Sequence, residues 1–152
     1  MSVYKAQRNP SKAEFLTTAK KLFVFTIKLS KKFPKSYKFN MYQDLYNLTR
    51  DISLSVFQAN SYYVSKTMSQ EEYEKRLSHL YIARSKIYAL TFMVSTVYEY
   101  IREGNNFLGT KEQANNIFQD WVDLITTEKK LISGVIQDTK KRYKKYQNEL
   151  KE

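Results

Sequence analysis

Lys20, Lys21, Lys28, Lys31, Lys32, Lys35 and Lys38 fall in one stretch of chain that holds no carboxylate. Lys140, Lys141, Arg142, Lys144 and Lys145 form a second basic run near the other end. Closely spaced ammonium and guanidinium groups do one kind of chemistry well, which is to neutralise phosphates and release their counterions. The imbalance is regional. Residues 1–38 carry ten basic side chains against Glu14 alone, so they hold +9 of the net +11 (10 − 1 = 9), whereas residues 39–110 carry seven of each sign and 111–152 carry nine and seven. A field this one-sided favours a polyanionic partner, nucleic acid above all.

Other chemistry is poorly provided for. The chain has no cysteine, so disulfides, thiolate catalysis and Cys-ligated zinc are excluded. A di-iron bundle site needs Glu-x-x-His on two helices, but the single histidine, His79, has Arg76 where that Glu would stand. His79 reads as an edge residue. Glu71, Glu72 and Glu74 read as first-turn acids that complement a helix dipole. No Gly-rich phosphate loop, nucleophile elbow or Ser/His/Asp arrangement is present. The expectation is a non-enzymatic protein with no cofactor and no metal. Tyr62, Tyr63, Tyr143 and Tyr146 stand beside or between cations, as in single-strand sites, although tyrosine at helical spacing ordinarily packs its ring and wets its hydroxyl.

The elements that position these groups are helices. Three Gly and two Pro are few for 152 residues, which is the composition of an all-α chain. Residues 1–10 read as a flexible segment, and one domain follows over 11–152. Ser11 with Glu14, Asn40 with Gln43, Ser69 with Glu72 and Thr110 with Gln113 each fit a capping box. They predict helices over about 11–33, 41–65, 70–103 and 111–148. Pro34 ends the first, and Gly104 stops the third in a left-handed conformation. Short connections predict an up-down-up-down antiparallel four-helix bundle.

On a helical wheel of about 100° per residue, Phe15, Leu16, Ala19, Leu22, Phe23, Thr26, Ile27, Leu29, Ser30 and Phe33 face one way. Lys20, Lys21, Lys28, Lys31, Lys32 and Lys35 face the other. The second helix shows Met41, Leu45, Leu48, Ile52, Val56, Ala59 and Tyr63 on its apolar side. The third shows Tyr73, Leu77, Leu80, Arg84, Ile87, Leu90, Thr91, Val94, Tyr98 and Ile101. On the fourth, a stripe from Ile117 to Ile136 thins to Tyr143, Tyr146 and Leu150, which predicts a projecting end. Gly134 inside that stripe predicts a kink or a close helix contact.

Val24 and Phe25 interrupt the basic face and predict a subunit contact. Arg84, on the expected apolar stripe, needs either an inward carboxylate, Asp44 or Asp51, or a subunit seam. The basic tail is expected to lie at the same end as Lys5, Arg8 and Lys12, with Lys31 to Lys38 at the other. No apolar run follows the N-terminal charges and no stretch is long enough to span a bilayer, so a cytoplasmic protein without a membrane partner is expected.

The helix order, with Phe33-Pro34-Lys35-Ser36-Tyr37-Lys38-Phe39 between the first two helices and Leu77-x-x-Leu80-x-x-Ala83-Arg84 in the third, resembles a known four-helix bundle family. That family contains the accessory variability determinant (Avd) of diversity-generating retroelements and proteins of 23S ribosomal RNA intervening sequences. The resemblance spans roughly residues 10–150. It implies a homopentameric ring that binds a reverse transcriptase and RNA or RNA/DNA through its basic surface. The long basic tail and the wealth of tyrosine depart from the family pattern. They leave open a protein-interaction scaffold, or an intervening-sequence protein with no retroelement role.

Overall fold

Proline at position 34 supplies no N–H and disfavours helix in the residue before it, and the chain leaves its first helix a turn earlier than the spacing predicts. The computed structural model describes residues 11–151, with side chains from Glu14 onward. Segment 1–10, with Lys5 and Arg8, the side chain of Lys12 and the cap expected at Ser11, lies outside the described residues. Four α-helices follow one another: α1 (Ser11–Leu29), α2 (Gln43–Asn60), α3 (Gln70–Arg102) and α4 (Lys111–Leu150). Each packs against its neighbour in sequence, and α4 also packs against α1, enclosing one core. No helix of the described residues is long and apolar enough to cross a membrane.

Start and stop signals account for most of the boundaries. Ser69 Oγ accepts from Glu72 N–H at 3.1 Å while Glu72 Oε1 accepts from Ser69 N–H at 3.2 Å. Thr110 and Gln113 do the same at 3.1 and 2.8 Å. These two boxes satisfy N–H groups that the first helical turn leaves free. Gly104 sits at φ 104°, as expected of a left-handed stop. The box at Asn40 does not form. A 3-10 turn (Lys35–Tyr37) and a π-helical turn (Lys38–Tyr42) lead into α2 with Tyr42 already helical, so no free N–H awaits a cap. α2 ends at Asn60 instead of 65, and Tyr63, placed in its core by spacing, is 75 % exposed.

Buried positions alternate by four and three residues along every helix. They are Phe15, Ala19, Leu22, Thr26 and Leu29 on α1, and Leu45, Thr49, Ile52, Val56 and Ala59 on α2. On α3 they are Arg76, Leu80, Ala83, Ile87, Leu90, Val94, Val97 and Ile101, and on α4 Ala114, Phe118, Trp121, Ile125, Glu128, Ile132, Val135 and Thr139. A period of 3.5 is the pattern of knobs-into-holes packing. On α3 the column Leu80-Ile87-Val94-Ile101 is as expected, but its partner column is Arg76-Ala83-Leu90-Val97. The expected Leu77, Arg84, Thr91 and Tyr98 lie at the edge or outside. Ile27 of α1 is exposed for the same kind of reason, lying just beyond the seam.

Two ionisable groups therefore sit in the core. Arg76 takes the role that spacing assigned to Arg84: its Nε donates to Thr139 Oγ1 at 3.0 Å and its Nη1 to the Ala59 and Tyr62 carbonyls at 3.1 and 3.0 Å. It caps the last turn of α2, where backbone acceptors lack helical partners. Burial lowers its pKa, the charge of Arg142 lowers it further, and Asp138 opposes both. Glu128 is fully buried, and neither carboxyl oxygen has a hydrogen-bond partner among the described residues; Trp121 Nε1 is in the same position. Burial pushes the Glu128 pKa up to about 9.

Gly134 does not break α4 and admits no close neighbour. The helix is unbroken from Lys111 to Leu150, and a Cβ at position 134 would meet nothing within 4 Å. Gly134→Ala is expected to stabilise the protein by about 1 kcal/mol through helix propensity alone. Thermal unfolding would register this as a higher midpoint.

Candidate nucleic-acid interface

The lysine stripe begins on α1 and continues beyond it. Lys20, Lys21 and Lys28 lie on the helix, Lys31 and Lys32 in the turn after it, Lys35 in the 3-10 turn and Lys38 at the start of the π-helical turn. All seven are exposed, and none takes part in an ion pair among the described residues. Below them the connection is held by aromatic rings. Phe33 is buried with its centroid 5.3 Å from Tyr42 and 4.7 Å from Phe107, and Tyr37 meets Tyr100 edge-on at 5.6 Å with their hydroxyls 2.9 Å apart. Tyr42 Oη donates to the Thr26 carbonyl at 3.1 Å, satisfying an acceptor that the end of α1 leaves free. The Phe-Pro-Lys-x-Tyr-Lys spacing thus points rings inward and ammonium groups outward.

Val24 and Phe25 share one groove and differ in how far the core covers each. Phe25 is half-buried with its ring 6.0 Å from Trp121, so its burial needs no second subunit. Val24 is 39 % exposed in a shallow groove between α1 and α4, rimmed by Lys20, Lys21 and Lys28.

The second basic run does not project freely. Tyr143 stacks on Tyr73 at 3.8 Å with the rings 9° apart, and Glu149 pairs with Lys66 at 3.4 Å. Arg142 is half-buried: its Nη2 donates to the Val64 carbonyl at 3.2 Å and its Nη1 lies 3.7 Å from Asp138. Those bonds tie the α2–α3 connection to α4 and remove Arg142 from the free cations. Lys140, Lys141, Lys144 and Lys145 remain exposed. Phe15, Val64, Val135 and Arg142 line one pocket, so the base of the tail lies by the first turns of α1, and Lys31 to Lys38 lie at the far end. Of the tyrosines considered for stacking, Tyr62 packs parallel to His79 at 6.2 Å and Tyr143 is taken up by Tyr73.

Arg84 is half-buried and has no carboxylate partner among the described residues. Asp51 pairs with Arg50 at 3.1 Å and Lys86 at 3.8 Å, and Asp44 is exposed. The Arg84 guanidinium lies instead 5.1 Å from the centroid of the Tyr81 ring, which Lys140 also approaches, at 5.3 Å. Lys129 lies 4.6 Å over Tyr88, and Arg102 lies 5.6 Å over Tyr98. These cation–π contacts form a second basic and aromatic zone where α3 meets α4. Charge runs gave no sign of it, because its members are single residues on two helices. No family model, no curated protein and no solved structure matches this chain.

Proposed function

We propose that this protein is a non-enzymatic basic bundle that binds nucleic acid through its phosphates. The observation that carries the reading is the row of seven exposed lysines, from Lys20 to Lys38, that no carboxylate among the described residues neutralises. Lys140, Lys141, Lys144 and Lys145 form a second basic element on α4. The resemblance to the Avd family makes the protein an oligomeric accessory factor in the cytoplasm, a pentamer working with a reverse transcriptase on RNA or RNA/DNA. Val24, ringed by lysines, is the residue assigned to subunit contact, whereas Arg84 is engaged within the subunit by Tyr81. An up-down-up-down antiparallel arrangement is supported by paired contacts that run in opposite directions. Ser53 meets Ala19 and Tyr42 meets Thr26; Arg76 meets Ala59 and Lys86 meets Asp51; Tyr73 meets Tyr143 and Tyr98 meets Phe118.

Phosphate contact predicts weak sequence preference and steep salt dependence. With about six phosphates neutralised, log K falls against log salt with a slope near −5. Lys21→Glu, Lys28→Glu and Lys32→Glu together are expected to reduce that slope by about three and to cut affinity at low salt by about a hundredfold or more. The sites are exposed, so circular dichroism is expected to be unchanged. Equal retention of RNA and DNA by the triple variant sinks the reading. If nucleic acid is retained while an acidic protein partner is lost, the same lysines serve a protein-interaction scaffold.

A further inference from the structure

Where α3 meets α4, cations and open rings share a face that the lysine stripe does not reach. Tyr88 is 55 % exposed and Phe92 is 68 % exposed. At 1.5 Å per residue they lie about 6 Å apart along the helix, with Tyr81 about 10 Å before Tyr88. Lys129 fixes the Tyr88 ring, and Arg84 and Lys140 fix Tyr81, while Phe92 has no cation over it. Among the described residues, none of these three cations forms an ion pair. Between Glu74 and Glu99, α3 carries no acidic residue, and Glu112, the one acidic α4 position in heptad register with Lys129 or Lys140, lies 28 residues before Lys140 at the start of the helix. Beside the rings runs a groove of about 450 Å³ between the two helices, walled by Thr91, Ser95, Asn115 and Gln119, with Tyr98 and Val122. Every one of those lining groups is uncharged and five offer hydroxyl or amide hydrogen bonds.

We propose that this face binds an unpaired nucleic-acid strand, with bases stacked on Phe92 and Tyr88 and entering the groove, and phosphates set against Arg84, Lys129 and Lys140. The proposal rests on the nucleic-acid reading above and adds the strandedness of the ligand and a second surface. Three features select this occupant. Two exposed rings on successive turns of one helix offer their faces to bases that a single strand can splay, whereas a duplex keeps its bases stacked inside. Uncompensated cations beside open rings complement a chain that alternates phosphate with an aromatic base. A second copy docking by this face on a two-fold axis would bring Arg84, Lys129 and Lys140 against a like-charged surface.

The test measures binding of the full chain to labelled oligo(dT), to a duplex of equal length and to an abasic strand of equal length. For Tyr88→Ala with Phe92→Ala, oligo(dT) affinity is expected to fall by about tenfold to a hundredfold. Duplex and abasic binding are expected to stay within about twofold, since both depend on phosphate alone. Equal losses on all three probes, or no loss on oligo(dT), overturn the proposal and leave the lysine-stripe reading standing. Wild-type protein that binds none of the probes overturns both. Wild type that self-associates in light scattering, with the double variant monomeric, assigns the face to a second copy instead. Phe92→Trp keeps a ring at the site, so it guards against misfolding: its emission is expected to be quenched by oligo(dT) and not by the abasic strand. Absence of quenching also overturns the proposal.

Discussion

Leucine in place of Glu128 is expected to raise the unfolding free energy by about 3 kcal/mol at pH 7 and by more at higher pH. The carboxyl is fully buried without a hydrogen-bond partner among the described residues, and burial alone moves its pKa from 4.5 to about 9. The folded protein therefore holds a proton that the unfolded chain releases at ordinary acidity. Below pH 4.5 both states are protonated and the carboxyl gives no pH-dependent penalty. Between 4.5 and about 9 folding must take up a proton, so stability declines by about 1.4 kcal/mol per pH unit as pH rises, and levels off only above the folded pKa. Urea unfolding at several pH values checks this: the gap between Glu128→Leu and wild type is expected to widen with pH. Glu128→Gln keeps the shape and the polar atoms, so it is expected to remove the slope while recovering less stability. Parallel curves for wild type and both variants would mean that Glu128 is not a buried neutral acid.

Arg76→Met is expected to cost about 3 kcal/mol, because it strips two carbonyls and a hydroxyl of a buried donor at once. A buried ion is often replaceable by an apolar side chain without loss, but that holds when its partners are removed with it. Here the partners are the Ala59 and Tyr62 carbonyls and Thr139 Oγ1, and they stay. The damage is expected to be local first. Amide exchange over residues 59–64 is expected to quicken more than exchange at the middle of α3, since Arg142 at Val64 and the exposed Lys66–Glu149 pair would then be the polar contacts left to hold that connection to α4. Denaturant unfolding equal to wild type would show that the guanidinium contributes nothing net.

Much of the architecture could be read from the amino acids, because caps and breakers act locally. Ser69, Thr110, Pro34 and Gly104 each do their work within four residues, and helix ends followed from them. Long-range demands were hidden. The two candidate columns on α3, one through Arg76 and one through Arg84, each hold one arginine, and Ala83, Leu90 and Val97 make the Arg76 column the more apolar of the two. The end of α2, whose carbonyls need the Arg76 donor, favours the same column. Once the helix is turned that way, Tyr81 and Tyr88 face the α4 seam and meet Lys140 and Lys129, partners many turns away in sequence. The lysine stripe was legible as charge, but its continuation past Leu29 into a 3-10 and a π-helical turn depended on Pro34 and on Tyr42 bonding back to Thr26.

The aromatic plug under that connection bears on how fast and how tightly a partner is held. Phe33, Tyr37 and Tyr42 fix the backbone from which Lys31, Lys32, Lys35 and Lys38 project, so no loop has to order itself when a polyanion arrives. The entropy lost on binding is then confined to lysine side chains, about 0.5–1.5 kcal/mol for each one immobilised. For the proposed polyanion, encounter is expected to be governed by long-range attraction between charges with no conformational gate, giving a fast association rate that falls steeply as salt is added.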